Sequence, residues 1–256
     1  MEPSLAVRDT TARAVLVTGA ARGLARGVAA DLAAHGYRVA FTYRPGGTDP
    51  GETANAIRAQ GAEPLVVAAD HAQAGATAAA IERAERSFGR LDGVVHAVGP
   101  IVVRAFERCT PAEYAAMIDG NLRSAVEAAF AALPGMRARR FGRLIYFGMN
   151  GSHVTLPAKG MTLYGAAKAG VVAFARALAL EEAKYGISVN VIEPGDIRDK
   201  SLDRAAARGV AAANPTGHSG SWEDVAAAVR FVLADDAGYL NGMTLGVNGG
   251  LAQPHE

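Results

Sequence analysis

Seven short stretches of the chain are apolar at almost every position: AVLVTG (14–19), RVAFTY (38–43), PLVVAAD (64–70), GVVHAVG (93–99), RLIYFG (143–148), ISVNVIEPG (187–195) and MTLGVNGG (243–250). A strand with one wet face alternates apolar and polar residues; an unbroken apolar run belongs to a strand covered on both faces, as in a parallel sheet. Alanine-rich segments of helical period lie between these runs, as with Leu24, Val28 and Leu32 at i, i+4 and i+8. Thr110-Pro111-Ala112-Glu113 has the form of a helix-starting capping box, Ser221-Trp222-Glu223-Asp224 offers a second start, and Gly36 and Gly61 stand where helices stop. The pattern predicts an α/β fold, a doubly wound parallel sheet of about seven strands with about six helices on both faces.

No Pro/Ser-rich linker, repeat or low-complexity tract divides the chain, so its 256 residues are expected to form one domain, with residues 1–12 as a loose tail. Lys+Arg 26 against Asp+Glu 25 leaves no charge excess to attract nucleic acid or an anionic membrane. One cysteine, Cys109, cannot form an internal disulfide, and a buried small hydrophobe is its expected role. The first residues lack the basic and apolar regions of a secretory signal, and Arg176 and Glu181 interrupt the longest apolar segment. A soluble, cytoplasmic protein is the expectation.

The first apolar run passes into Thr18-Gly19-Ala20-Ala21-Arg22-Gly23-Leu24-Ala25, and a helical segment follows. Glycines there let backbone approach a pyrophosphate, and the helix start supplies free N–H groups, although a plain tight turn satisfies the same pattern. Folds of the Rossmann type that select NAD place an acid ~20 residues further on, where it holds the ribose 2′-hydroxyl. Here that place holds Tyr43 and Arg44, with Arg22 as a second cation, which reads as NADP(H) because guanidinium pairs with phosphate. Two solvated surface arginines are the alternative.

TGAARGLA, Asn121 within a helix, GRLIYFG, Tyr164-x-x-x-Lys168, Pro194-Gly195 and the closing GMTLGVNGG occur in the order of the short-chain dehydrogenase/reductase family, which the chain resembles from about residue 12 to 251. It looks most like the bacterial 3-oxoacyl-carrier-protein reductases within that family. Enoyl-thioester reductases fit less well, because they carry their tyrosine at the place that here holds Met161.

The resemblance implies reduction of a carbonyl by NADP(H), with Tyr164 as general acid, Lys168 tuning it and holding the nicotinamide ribose, and Asn121 ordering a water beside the lysine. Physical need agrees for the pair. A phenol titrates near 10, so a cation one helical turn away is expected to favour its ionised form. For Asn121, a helix-interior amide bonded to backbone is the competing explanation. By the same resemblance Gly19, Arg22, Gly23, Leu24, Tyr43, Arg44, Asp70, His71, Ala97, Gly99, Tyr164, Lys168, Pro194, Gly195 and Ile197 would contact the cofactor, with Asp70 and His71 near the adenine.

Three departures stand out. His96-Ala97-Val98-Gly99 has lost both asparagines of the family's Asn-Asn-Ala-Gly, and Ala25 replaces a glycine of the turn. The family's catalytic serine is also missing. Counting back from Tyr164 puts it at Gly151, whereas aligning from GRLIYFG puts it at Met149, and neither bears a hydroxyl. Asn150 and Ser152 are the candidate substitutes, Asn150 being preferred as a donor to the substrate carbonyl.

Scattered histidines without ligand spacing argue against a metal. Residues 196–220, rich in charge, occupy the place of the family's substrate lid, where they could meet a phosphopantetheine or an acyl carrier protein, or simply face water. The resemblance also implies a homo-oligomer, tetramer or dimer, built through two long helices and the closing strand. A reductase of 3-oxoacyl thioesters or related ketones is the main expectation; a cofactor-binding protein that has lost turnover and acts as a sensor or structural partner is the alternative.

Overall fold

A computed structural model describes residues 12–251; the tail expected over 1–12 lies almost wholly outside them, as does His255. Strands β1 (Ala14–Val17), β2 (Arg38–Tyr43), β3 (Leu65–Ala68), β4 (Gly93–His96), β5 (Gly142–Phe147), β6 (Ile187–Pro194) and β7 (Thr244–Val247) form one sheet in the order β3-β2-β1-β4-β5-β6-β7. Every pairing is parallel. All seven expected strands are present, and the order reverses between β1 and β4, the kind of switch point that opens a crevice at the strands' C-terminal ends.

The five central strands, β2, β1, β4, β5 and β6, are buried on both faces, whereas the edge strands β3 and β7 are only partly covered. Leu16, Val94, Leu144 and Val191 face helices α3 (Ala76–Phe88), α5 (Ser124–Arg139) and α6 (Thr162–Glu182). Val15, Val17, Val95, Ile145 and Ile192 face α1 (Gly23–Ala34), α2 (Gly51–Arg58) and α8 (Trp222–Leu233). Each such side chain contributes about 1.5–3 kcal/mol by leaving water. On α1, Val28 and Leu32 are fully buried and Leu24 packs at the rim of that core. Gly27 of α1 lies so close to Trp222 of α8 that a β-carbon would fall 2.5 Å from the indole.

Two short helices, α4 (Pro111–Met117) and α7 (Arg204–Ala207), exceed the expected six. The capping boxes at Thr110/Glu113 and Ser221/Asp224 both form, and Gly36 and Gly61 take positive φ where α1 and α2 end. Cys109 is half-buried beside the start of α4, more open than the expected core position. The segment Thr162–Tyr185 is, contrary to expectation, long and apolar enough to cross a membrane by length and composition. Its Ala167, Val171, Val172, Ala175 and Ala179 pack in the core, which accounts for that hydrophobicity.

Candidate active site

The C-terminal ends of β1, β4, β5 and β6 lie side by side, so the loops that follow them converge. After β1 the turn runs through Gly19, with φ +67°, to Gly23, with φ +64°. Gly19 N–H donates to Thr42 Oγ1 at 2.8 Å, which ties the turn to β2. Arg22 precedes α1 without capping it, leaving the helix's first N–H groups for an anion. Arg22 and Arg44 are both exposed, and neither forms an ion pair among the described residues. This cradle fits a dinucleotide phosphate: open backbone donors, positive φ at two glycines and two unpaired guanidinium groups.

Thr18 Oγ1 accepts from the N–H groups of Ala97 and Val98, which fixes the chain as it leaves β4. His96 occupies a fully buried place behind it, bonding Thr18 Oγ1 through Nδ1 at 3.3 Å and Ser124 Oγ through Nε2 at 3.0 Å. Burial drives its pKa well below the ordinary value, so it is a neutral strut. His71 is likewise turned inward, between Thr42 Oγ1 at 2.7 Å and Thr77 Oγ1 at 2.8 Å. Its side chain is therefore not the adenine contact expected of it; burial lowers its pKa to about 4, and it supports the turn through Thr42. Asp70 stays half-buried at the rim, its carboxylate accepting from Ala72 N–H.

Asn121 sits in one wide helical turn, Ile118–Arg123, between α4 and α5. Its Nδ2 donates to Met117 O and Pro100 O, each at 3.0 Å. By taking the carbonyl one turn back, the side chain substitutes for a backbone bond, a local device frequent at functional sites. The backbone-bonded amide considered from sequence is thus present, yet Oδ1 remains buried without a partner and faces the cleft wall at Gly99. A β-carbon on Gly99 would stand 2.3 Å from Asn121 Oδ1 and 3.1 Å from Lys168 Nζ. Those two groups converge on one point.

Tyr164 and Lys168 lie on the first turns of α6, with Nζ 5.7 Å from the phenol ring centre. Lys168 is buried and donates to Phe147 O at 2.7 Å, at the end of β5. Burial lowers its pKa to about 8 and pushes that of Tyr164 up to about 12. The expected net lowering of the phenol is therefore not seen: desolvation of the ring outweighs a cation 5.7 Å from its centre whose hydrogen bond goes to backbone.

The loop after β5 carries both candidate substitutes for the serine, Asn150 and Ser152, in different surroundings. Ser152 is buried and donates to Glu193 Oε1 at 2.6 Å, so it is committed to the protein. Asn150 is half-buried, with Oδ1 accepting from Asn248 Nδ2 at 2.7 Å, which leaves its own N–H2 as a donor pair. Met149 projects toward Gly165, beside Tyr164. Gly195 packs so tightly on Asn248 that a β-carbon would lie 2.5 Å away, and its N–H donates to Val247 O. Pro194 closes β6, and Ile197 joins the apolar core at its edge.

Within the segment 196–220 Arg198 pairs with Asp196, and Arg204 ties the segment to α8 through Asp224. The segment covers a cavity of about 310 Å³ whose wall includes Arg204, His218 and Asn248. No cluster of metal-ligating side chains occurs among the described residues. Glu193, beneath the loop after β5, is a residue that sequence reasoning passed over; the signal was the one charged residue in the buried strand β6.

Comparison with known proteins places this geometry. Residues 19–252 match the family model described as Enoyl-(Acyl carrier protein) reductase. The 3-oxoacyl-(acyl-carrier-protein) reductase of Haemophilus influenzae is 36% identical over 241 residues, covering 92% of this chain and 96% of that protein. The Escherichia coli protein of the same name is 34% identical at the same coverage. Among solved structures, a short-chain dehydrogenase from Burkholderia cenocepacia in complex with NADP superposes with a TM-score of 0.81 at 30% identity, covering 93% of this chain and 97% of that one. Levodione reductase gives 0.82 at 30% identity, with 93% and 96% covered.

Proposed function

Because the chain belongs to the short-chain dehydrogenase/reductase family of NAD(P)(H) oxidoreductases, we propose that it is an NADPH-dependent reductase converting a ketone, of the 3-oxoacyl thioester or a related class, to an alcohol. The observation that carries this reading is the meeting of Asn121 and Lys168 at Gly99, with the Tyr164 ring centre 5.7 Å from Lys168 Nζ. The bound cofactor supplies a hydride, and this chain's residues do the rest.

Tyr164 gives its phenolic proton to the developing alkoxide. A pKa of about 12 keeps it protonated at neutral pH, the state a donor needs, and transfer of this kind is worth about 10²–10⁴ in rate. Lys168, with a pKa of about 8, is mostly charged at pH 7 and stabilises the phenolate left behind. Asn121 Oδ1 holds a water beside Lys168 through which that proton is replaced. The Asn150 amide donates to the substrate carbonyl where relatives use a serine, and loss of such a donor costs about 3–4 kcal/mol of transition-state binding.

Gly19, Gly23, Leu24, Ala97, Gly99, Pro194, Gly195 and Ile197 line the cofactor's path, with Asp70 at the adenine and Tyr43 beside the ribose. Arg22 and Arg44 meet the 2′-phosphate. Residues 196–220 close over the substrate, which an acyl carrier protein would present. Exposed Phe130 on α5 and Leu180 on α6 support a homo-oligomer, dimer or tetramer, formed through those helices in the cytoplasm.

The test follows cofactor absorbance with NADPH and with NADH against 3-oxoacyl thioesters, diketones and quinones. Turnover with preference for NADPH is expected, and Arg44→Ala should lose most of that preference. Unchanged preference in that variant would remove the phosphate assignment; tight NADPH binding without turnover of any carbonyl compound would leave a sensor or structural role.

A further inference from the structure

Strand β6 is buried along Ile187–Glu193, and its last buried residue is an acid with no exposed surface. A carboxylate taken out of water needs strong partners, because its desolvation costs several kcal/mol. Glu193 finds four donors and all come from one turn. Oε1 accepts from Ser152 Oγ at 2.6 Å and His153 N–H at 3.0 Å; Oε2 accepts from Gly151 N–H at 2.9 Å and the His153 ring Nδ1 at 2.8 Å. Neither Arg nor Lys is among them.

The turn is closed on its other side as well. Met149 N–H donates to Ser152 Oγ at 3.1 Å, and Ser152 N–H donates to Met149 O at 2.8 Å. Gly148 has no room for a side chain, since a β-carbon would lie 2.8 Å from Glu193 Cγ and 2.9 Å from Ser152 Oγ. Gly151 takes φ +77°, a conformation side chains rarely adopt. Glu193 is thus the floor on which Met149–His153 is folded, and Asn150 is the one residue of that turn held instead by Asn248, just beyond β7.

We propose that Glu193 is a positioning residue for carbonyl reduction: by fixing the Met149–His153 turn it presents the Asn150 amide at the cleft, in place of the hydroxyl that relatives use. The inference rests on the reductase reading above. Asn150 touches the substrate; Glu193 acts through it.

Glu193→Gln keeps shape and volume but offers one acceptor oxygen where the turn needs two, so at least two donors lose their partner. Displacing a reacting group by 1 Å costs up to about 10²-fold, so kcat is expected to fall about 10- to 100-fold with NADPH affinity within twofold of wild type. The discriminating measurement is the same substitution in an Asn150→Ala background. A positioning role predicts that Glu193→Gln then costs less than about threefold, because the group it positions is gone. A merely structural role predicts the full loss in both backgrounds, which would overturn the proposal, as would wild-type kcat in the single variant. Should Glu193→Gln not fold, Ser152→Ala removes one of the four bonds and carries the same cycle, with about a fivefold loss expected in the parent and none in Asn150→Ala; equal losses refute it. Hydrogen exchange gives a readout free of activity. The Gly151 and His153 amides should be protected in the wild type and exchange at least about tenfold faster in Glu193→Gln; equal exchange would mean that the carboxylate does not hold the turn. A wild type that turns over no carbonyl compound would count against the reductase reading rather than against this bracket.

Discussion

Gly99→Ala is the smallest change that strikes the proposed proton machinery. The backbone at Gly99 is not in the left-handed region, so alanine is conformationally allowed and the entire effect comes from one methyl group. That methyl would lie 2.3 Å from Asn121 Oδ1, whereas ordinary contact begins at 3.4 Å, so the amide must retreat by about 1 Å. Retreat strains its bonds to Pro100 O and Met117 O, each worth about 1 kcal/mol net. Overpacking of this kind costs about 1–3 kcal/mol and lowers Tm by several degrees in a chain of this size. Lys168 Nζ, 3.1 Å from the same methyl, must also shift. A kcat loss of about 10- to 100-fold is expected at saturating NADPH, followed by cofactor absorbance under single-turnover and steady-state conditions. A folded Gly99→Ala protein with kcat within twofold of wild type would refute the idea that Asn121 and Lys168 are poised against this glycine.

Other outcomes follow from the same geometry. Lys168 is held at a pKa of about 8 instead of 10.5, so below pH 8 its buried charge destabilises the fold by ~3 kcal/mol and the penalty fades between pH 8 and 10.5. Lys168→Met should therefore be more stable than wild type at pH 7, with the difference shrinking as pH rises to 10; a variant less stable at pH 7 contradicts this. His71 at about 4 binds its proton in the unfolded chain first, so stability is lost as pH falls from 6.5 toward 4. His71→Gln should flatten that slope in denaturant titrations, and an unchanged slope would assign acid sensitivity elsewhere. Gly27→Ala drives a methyl into Trp222 and should lower stability by about 1–3 kcal/mol with quenched or shifted indole fluorescence; an unaltered Tm would mean that the helices separate freely.

Most of the scaffold was legible because it is written in local patterns. Short, mostly apolar runs gave every strand, and Thr110, Ser221, Gly36 and Gly61 gave helix boundaries through their own hydrogen bonds and dihedral angles. Tyr164 and Lys168 were legible from spacing, since one helical turn puts them on one face. What sequence could not supply was the direction of a side chain at a strand end. Asp70 and His71 are neighbours, yet one stays at the rim while the other turns in to bridge Thr42 and Thr77. Ser152 resembled a spare hydroxyl until Glu193, 41 residues away, proved to be its partner. The phenol's raised pKa depends on burial, which spacing does not report.

The central claim is that Tyr164 protonates a carbonyl oxygen during NADPH-dependent reduction. Steady-state NADPH consumption by wild type and Tyr164→Phe, with NADPH affinity measured alongside, tests it most directly. Wild-type turnover of at least one ketone of the panel is expected, with a loss of about 10²-fold or more in Tyr164→Phe and NADPH affinity preserved. A Tyr164→Phe protein that keeps most of the wild-type rate would contradict the account.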